Sequence, residues 1–418
     1  MHMTASGQGR KREWLWRLVL AVHLGIASGY VGLWAMLATR GQFWQADFSA
    51  YYAGWSIVRD GHGAHLYDLD LQARYQENIL NEGRFEGGVL PYLNPPYATL
   101  PFVSLALLSR SAAFWLWSLG QLLLLVWLLR VLSRLAQNWS PRERWLLFSG
   151  MLAFPPLFIT CMLGTFSLLI LVCVLHYVCA LRRGHEGRAG LWLVLGTIKP
   201  QLMALPGLVV VGGRRWRALA SVLLAGGVLV LVSGLLLGWA SWIGFFQALQ
   251  TVNTLFGEIG IVPTVMYNLK GTLALILGNE QGVLINRISM GAMVAASLAT
   301  LAVWRGAWPA EDDPRFDLRM SLTLLLGLLF LPHLNPHDGL LLVLPALLFY
   351  RYLRQRNLPR GPYTAFVLSW PLLFLFSEFT VGGSLGIRGP VVAMGVLLIW
   401  IGKAMIDEAR RDMLPKPD

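Results

Sequence analysis

Between Ala218 and Trp239 the chain reads ALASVLLAGGVLVLVSGLLLGW, without a charged residue, directly after the basic cluster Arg214-Arg215-Trp216-Arg217. A helix needs roughly 20 apolar residues to cross a bilayer, and its backbone must satisfy its own hydrogen bonds there. This stretch meets both needs, and the cations at its start mark the end held on the side where Lys and Arg collect. The pattern recurs in both directions. Candidate segments precede it at 14–39, 112–134, 145–160, 165–181, 189–198 and 202–212, and follow it at 284–304, 320–334, 339–350, 364–379 and 391–406. The expectation is an all-α, polytopic integral membrane protein of about 12 transmembrane helices, several shorter than a full span.

Composition agrees. Of 418 residues, 56% are hydrophobic and 13% charged, against roughly 25% charged in soluble domains. With the N-terminus inside, the inner loops collect most of the 34 Lys and Arg residues. This predicts cytoplasmic N- and C-termini in the inner (plasma) membrane. The net charge of +12 then describes topology and contact with anionic membrane lipids, and calls for no nucleic acid partner. The assignment requires that Pro95–Leu108 not complete a crossing, which its shortness permits if it is re-entrant or lies on the surface. A long first external loop (40–111) with juxtamembrane helices and a second (239–282) follow, within a single membrane domain over 1–418. The first apolar run is too long for a signal peptide and lacks a small-x-small cleavage pattern before Arg40. Cys161, Cys173 and Cys179 lie in apolar segments without ligand spacing and read as packing residues.

Four polar constellations interrupt this apolar frame. Asp47, in Ala46-Asp47-Phe48-Ser49-Ala50-Tyr51-Tyr52, follows the first span. It is placed either as a general base for a hydroxyl nucleophile or as a helix-capping carboxylate. Downstream, His62, His65 and Asp68 lack a matched partner pair for a metal, so no metal site is expected. Asn94 in Tyr92-Leu93-Asn94-Pro95-Pro96-Tyr97 is a helix-start residue or a substrate contact. Lys199, in Thr197-Ile198-Lys199-Pro200-Gln201, stands between two short apolar segments. A lysine at that depth costs roughly 2.5–3.5 kcal/mol unless it snorkels or meets an anion. If the two segments form a hairpin, Lys199 is at its tip, where Pro200 breaks the helix. The fourth constellation, Leu331-Pro332-His333-Leu334-Asn335-Pro336-His337-Asp338-Gly339, sets His337 beside Asp338 at the end of a span, suited to a phosphate, a sugar hydroxyl or a proton relay. Arg388 is a further phosphate candidate.

Taken together and in order, Asp47-Phe48-Ser49-Ala50-Tyr51-Tyr52, Leu66-Tyr67-Asp68, Asn94-Pro95-Pro96, Lys199-Pro200-Gln201 and His337-Asp338 resemble the bacterial glycosyltransferases of family 87. The resemblance runs from about Gly41 to Pro345. It implies the multispanning GT-C architecture, a polyprenyl-phosphate sugar donor, a hexose that is mannose by resemblance, and a glycolipid or glycan acceptor outside the inner membrane. It also implies Asp47 as catalytic base, and its later histidine motif maps to His337 with His333 as neighbour. Tyr51, Tyr52, Asp68, Asn94, Gln201, His333 and Asp338 become candidate substrate contacts, with Lys199, His337 and Arg388 facing the donor. One departure stands out: similar proteins carry Gly-Gln where this chain reads Gly164-Thr165. The implied chemistry is a single inverting displacement that needs no cofactor and no metal. A transporter or flippase of a lipid-linked or anionic substrate is the alternative from another class. A carrier has little use for a long first external loop that bears an aspartate.

Overall fold

A computed structural model describes residues 5–39, 47–79, 89–254, 262–379 and 388–413. Parts of both expected external loops, at 40–46, 80–88 and 255–261, lie outside the described residues. Among the described residues there are helices and turns and no strand. In chain order the helices are α1 (Ala5–Thr39), α2 (Asp47–Arg59), α3 (Leu69–Ile79), α4 (Arg110–Leu135), α5 (Pro141–Leu152) and α6 (Pro155–Leu163). Then come α7 (Ser167–Arg182), α8 (Glu186–Gly196), α9 (Pro200–Gly212), α10 (Trp216–Leu237), α11 (Ala240–Thr254) and α12 (Leu269–Leu277). The last are α13 (Gly282–Trp304), α14 (Pro314–Phe330), α15 (Val343–Gln355), α16 (Gly361–Phe379) and α17 (Gly389–Met413).

Among the described residues five helices are long and apolar enough to cross a membrane, within α1, α4, α10, α13 with its preceding turn, and α17. The segment 145–160, read as one span, is two helices, α5 and α6, bent by 43° at their junction. The cause is Pro155-Pro156, which cannot donate to the preceding turn, so the helix stops at Ala153 and restarts with proline in its first turn. Counted as one broken span, this pair is the sixth. The remaining apolar segments are shorter helices that pack inside the bundle, as α7, α9 and α14 do. The expected total of about 12 crossings therefore goes beyond the helices that are long enough to cross alone.

α14 is the central helix, buried along nearly its whole length and packed against α9, α13, α15 and α17. α7 is similarly buried, against α4 and α8. By contrast α1, α4, α10 and α13 expose Leu, Val, Ile and Trp along their outer faces, as surfaces solvated by lipid require.

The two ends of the bundle differ in chemistry. At the start of α14, fully buried Asp317 takes Arg182 from the end of α7 at 2.9 Å and Arg351 from the end of α15 at 3.4 Å. Nearby, Arg354 pairs with Glu143, Arg356 and Arg411 with Glu408, and Arg315 with Asp313. These arginines all belong to loops expected inside. The other end of α14, about 25 Å away for 17 residues at 1.5 Å each, leads into the His333–Asp338 connection.

At that second end α2 is bound down by aromatic rings. Phe48 meets Phe114 edge-on at 5.1 Å, and Trp55 meets Phe102 at 5.5 Å and Trp117 at 5.7 Å. Each such pair adds about 0.5–1.5 kcal/mol beyond its buried area. The Pro95–Leu108 segment forms two short 3-10 helices, Pro96–Ala98 and Leu100–Leu107, the second packed on α2. Among the described residues it is not one of the helices long and apolar enough to cross.

Candidate functional site

Four elements far apart in the chain converge on one cluster. α2 begins at Asp47, so its carboxylate sits in the first turn, where unsatisfied backbone N–H groups and the helix dipole favour negative charge. Lys199 sits at the break between α8 and α9, where Pro200 opens α9. His337 and Asp338 lie in the 3-10 turn Pro336–Leu342 that joins α14 to α15. Ser167 opens α7.

The contacts fix the protonation pattern. Lys199 Nζ donates to Asp338 Oδ1 at 2.7 Å and lies 2.9 Å from His337 Nε2. An ammonium only donates, so Nε2 accepts and His337 carries its proton on Nδ1. Nδ1 faces Asp47 Oδ2 at 3.4 Å, longer than a formed N–H···O bond. Asp47 Oδ2 has no hydrogen-bond partner among the described residues, while the side chain keeps 22% of its surface exposed. The result is a carboxylate with Oδ2 buried against a neutral imidazole and the rest of the side chain partly exposed.

Asp338 is fully buried. Ser167 Oγ donates to its Oδ1 at 2.7 Å, and Thr165 Oγ1 reaches Ser167 Oγ at 3.3 Å. Burial pushes the Asp338 carboxyl up, but the Lys199 ammonium and the hydrogen bonds from Lys199 and Ser167 hold it well below the usual range. For His337 burial and Lys199 both act downward, against Asp338 and Asp47, so the ring stays neutral near pH 7. The backbone around it is braced by Thr160 Oγ1, which donates to His337 O at 3.3 Å and to Pro156 O at 2.7 Å.

The other candidates fall around this centre with distinct roles. Tyr51, one turn along α2 from Asp47, lays its ring against Phe166 at 4.6 Å. Tyr52 turns away, and its hydroxyl donates to Leu108 O at 2.6 Å. Asn94 Nδ2 donates to Ile198 O at 2.9 Å, which ties the Asn94-Pro95-Pro96 turn to the Lys199 break. Asp68 accepts the N–H groups of Asp70 and Leu71 at 2.9 and 3.1 Å, at the head of α3. Gln201 is at the second position of α9, and its side chain makes no hydrogen bond among the described residues. His333 is near enough to feel Asp338, Lys199, Lys270 and His337. Arg388 donates from Nε to Thr264 O at 2.9 Å.

Three contributors were not singled out in the sequence: Ser167, Thr160 and Lys270. Lys270 is nearly buried at the start of α12. That helix is pinned beside the histidine connection by Asn268 Nδ2 to Leu331 O at 2.7 Å and by Tyr267 N to Leu334 O at 3.0 Å. Its signal was readable as one lysine inside an apolar segment. Ser167 and Thr160 carried none, since buried hydroxyls in apolar helices usually bond their own backbone. At the Gly164-Thr165 departure, an amide still arrives, from Gln121 of α4, whose Nε2 donates to Thr165 O at 3.1 Å. Among the described residues no group of three His, Cys, Asp or Glu side chains is arranged to hold a metal ion.

The model of glycosyltransferase family 87 matches residues 92–332. The polyprenol-phosphate-mannose-dependent alpha-(1-2)-phosphatidylinositol pentamannoside mannosyltransferase of Mycolicibacterium smegmatis is 28% identical over 262 residues. That alignment takes in 62% of this chain and 59% of the relative, so the chain spans less than two thirds of that protein. No solved structure matches. The family match includes Asn94, Thr165, Ser167 and Lys199, and ends before His333, His337 and Asp338.

Proposed function

The chain belongs to glycosyltransferase family 87, and from that premise we propose that it transfers a hexose, mannose by likeness to the relative, from a polyprenyl-phosphate donor to a glycolipid or glycan hydroxyl. In this reading the reaction takes place at the outer face of the inner membrane. The observation that carries it is the Asp47–His337–Lys199–Asp338 cluster, assembled from three distant parts of the chain with a carboxylate oxygen left unpartnered.

The acceptor hydroxyl attacks the anomeric carbon as its proton passes to the Asp47 carboxylate. The new C–O bond forms on one face while the bond to the phosphate oxygen breaks on the other, and polyprenyl phosphate leaves with the electron pair. Configuration is therefore inverted. A phosphate leaves without protonation, so no second carboxylic acid of the glycosidase kind is needed. His337 turns Nδ1–H toward Asp47 at 3.4 Å, and its tautomer is set by Lys199. Lys199, already paired with Asp338, supplies fixed positive potential to the leaving phosphate, and Lys270 and His333 extend that field on the α12 side. The site lies at the end of the bundle opposite the arginine ion pairs, which suits an external active site with cytoplasmic termini. The test is the anomeric configuration of the product. A β-linked donor sugar should appear α-linked in the product, with the linkage read by NMR. Retained configuration would rule out the single displacement and Asp47 as its base.

A further inference from the structure

At the end of the bundle that gathers the arginine ion pairs, a cavity of about 1010 Å³ opens between α1, α5 and α16. One face of each helix lines it. From α1 come Leu15, Leu18 and Val22, and from α16 Ala365, Leu368 and Leu372, each set spaced by three and four residues as a single helix face requires. α5 contributes Arg142 and Leu146, four residues apart and so on one face as well. The histidine in this wall is fully engaged. His23 Nε2 donates to Leu368 O at 3.0 Å and Nδ1 lies 3.1 Å from Ser149 Oγ, which pins α1 to both α5 and α16.

The mouth of the cavity is positive. Arg142, Glu143 and Arg360 line it there. Glu143 is already neutralised, because both its oxygens accept from Arg354 Nη1 at 3.0 Å and the Ser140 and Tyr350 hydroxyls donate to it as well. Arg142 lies over the Trp16 ring, 5.6 Å from its centroid, a contact that steadies the guanidinium beside the cavity. Arg360, the residue before α16, makes no ion pair among the described residues. An anion entering the mouth meets two guanidinium groups.

The depth of the cavity indicates which anion. Its α16 lining runs from Gly361 to Leu372, about 16 Å at 1.5 Å per residue. One leaflet of the hydrocarbon core is about 15 Å thick. A cationic mouth that leads into an apolar channel one leaflet deep fits a phospholipid, with its phosphate at Arg142 and Arg360 and an acyl chain between α1 and α16, beside Leu18, Val22, Leu368 and Leu372. Guanidinium groups match phosphate oxygens in geometry as well as charge, and basic ends of spans attract anionic headgroups. We propose that this groove holds one anionic glycerophospholipid, drawn from the leaflet on the side of the arginine-rich loops. A soluble phosphate ester would use the mouth and leave the channel empty. A polyprenyl phosphate bound here would have its phosphate at the end of the bundle away from Asp47.

The test uses full-length protein in detergent, titrated with phosphatidylglycerol, with bound lipid counted by native mass spectrometry. Arg142→Gln combined with Arg360→Gln should weaken retention of one phosphatidylglycerol by about tenfold or more. Arg183→Gln with Arg188→Gln removes the same charge from exposed positions at the same end of the bundle and should leave retention unchanged. Ala365→Trp fills the channel between α1 and α16 without altering a charge, and should weaken retention to a similar extent. Ala365 is exposed, so this variant should keep the native melting temperature and its loss of lipid is not loss of fold. Retention unaffected by both the Arg142/Arg360 pair and Ala365→Trp would overturn the proposal. Equal loss in the two arginine pairs would also overturn it, as attraction to charge in general. Loss in the Arg142/Arg360 pair with full retention in Ala365→Trp would overturn the acyl channel and leave a phosphate ester held at the mouth alone. Displacement of phosphatidylglycerol by an equal amount of polyprenyl phosphate would overturn the phospholipid and make the groove a second seat for the donor.

Discussion

Lys199 and Asp338 depend on each other more than either depends on solvent. With the Lys199 side chain only 10% exposed and Asp338 1%, removing one partner leaves the other charge buried and unpaired. Lys199→Met should therefore destabilise the protein by about 3–5 kcal/mol, measured by denaturation in micelles. Lys199→Met with Asp338→Leu should recover most of that stability while transfer stays absent. Recovery of transfer in the pair would remove Lys199 from the chemistry. pH reports on His337. Its folded form disfavours the proton, so unfolding takes up protons below the ordinary histidine value of 6.5. Stability is then full above that value and declines as pH falls below it. Transfer should decline on the same acid side, because a protonated Nε2 cannot accept from Lys199. An acid limb of the pH–rate profile centred above 6.5 would contradict the neutral imidazole. At this scale the sequence was most legible where a charge was out of place: Asp47, Lys199, His337 and Asp338 stood out because apolar surroundings make each one costly. Asp68 and Tyr52 were chosen by motif, and their described bonds go to backbone groups. Only the fold could reveal Ser167, whose partner is distant in sequence.

The breaks between helices build the site more than the helices do. Pro200 ends one helix and starts the next at Lys199, Pro155-Pro156 bends α5 from α6, and Pro336 starts the turn that carries His337. These breaks were readable as prolines in apolar runs. Their consequence for the span count was not, because a run of apolar residues has the same composition whether it is straight or broken. Gly164 is the sharpest case. It closes α6 with φ of +68°, and a Cβ there would lie 2.8 Å from Phe48 Cβ, one residue from Asp47. Gly164→Ala should cost about 1–2 kcal/mol from the left-handed backbone alone. It should also displace the start of α2, lowering turnover more than donor binding. The comparison of kcat with KM decides it: a change confined to KM would show that α2 had not moved.

On the scale of the whole molecule, hydropathy and charge bias gave an all-helical membrane protein with two chemically different ends, and the ion pairs around Asp317 and Glu408 gather the arginines expected inside. The number of crossings was the least legible property, because helices buried by other helices need not be long enough to meet lipid on both sides. Orientation makes its own prediction. A cysteine placed at His62 should react with a membrane-impermeant maleimide added to intact cells, and one at His185 should react only after the membrane is opened. The reverse pattern would invert the topology and place the Asp47 cluster inside. The central claim is that Asp47 is the base of a lipid-linked sugar transfer. It is tested most directly by sugar release from radiolabelled polyprenyl-phosphate mannose in proteoliposomes containing an acceptor lipid extract, comparing the native chain with Asp47→Asn. The account predicts transfer by the native protein and a loss of about 10²–10⁴-fold in the variant, with melting temperature unchanged. Equal transfer by both would contradict the assignment of the base, and no transfer by the native protein from any of a panel of lipid-linked sugars would contradict the enzyme itself.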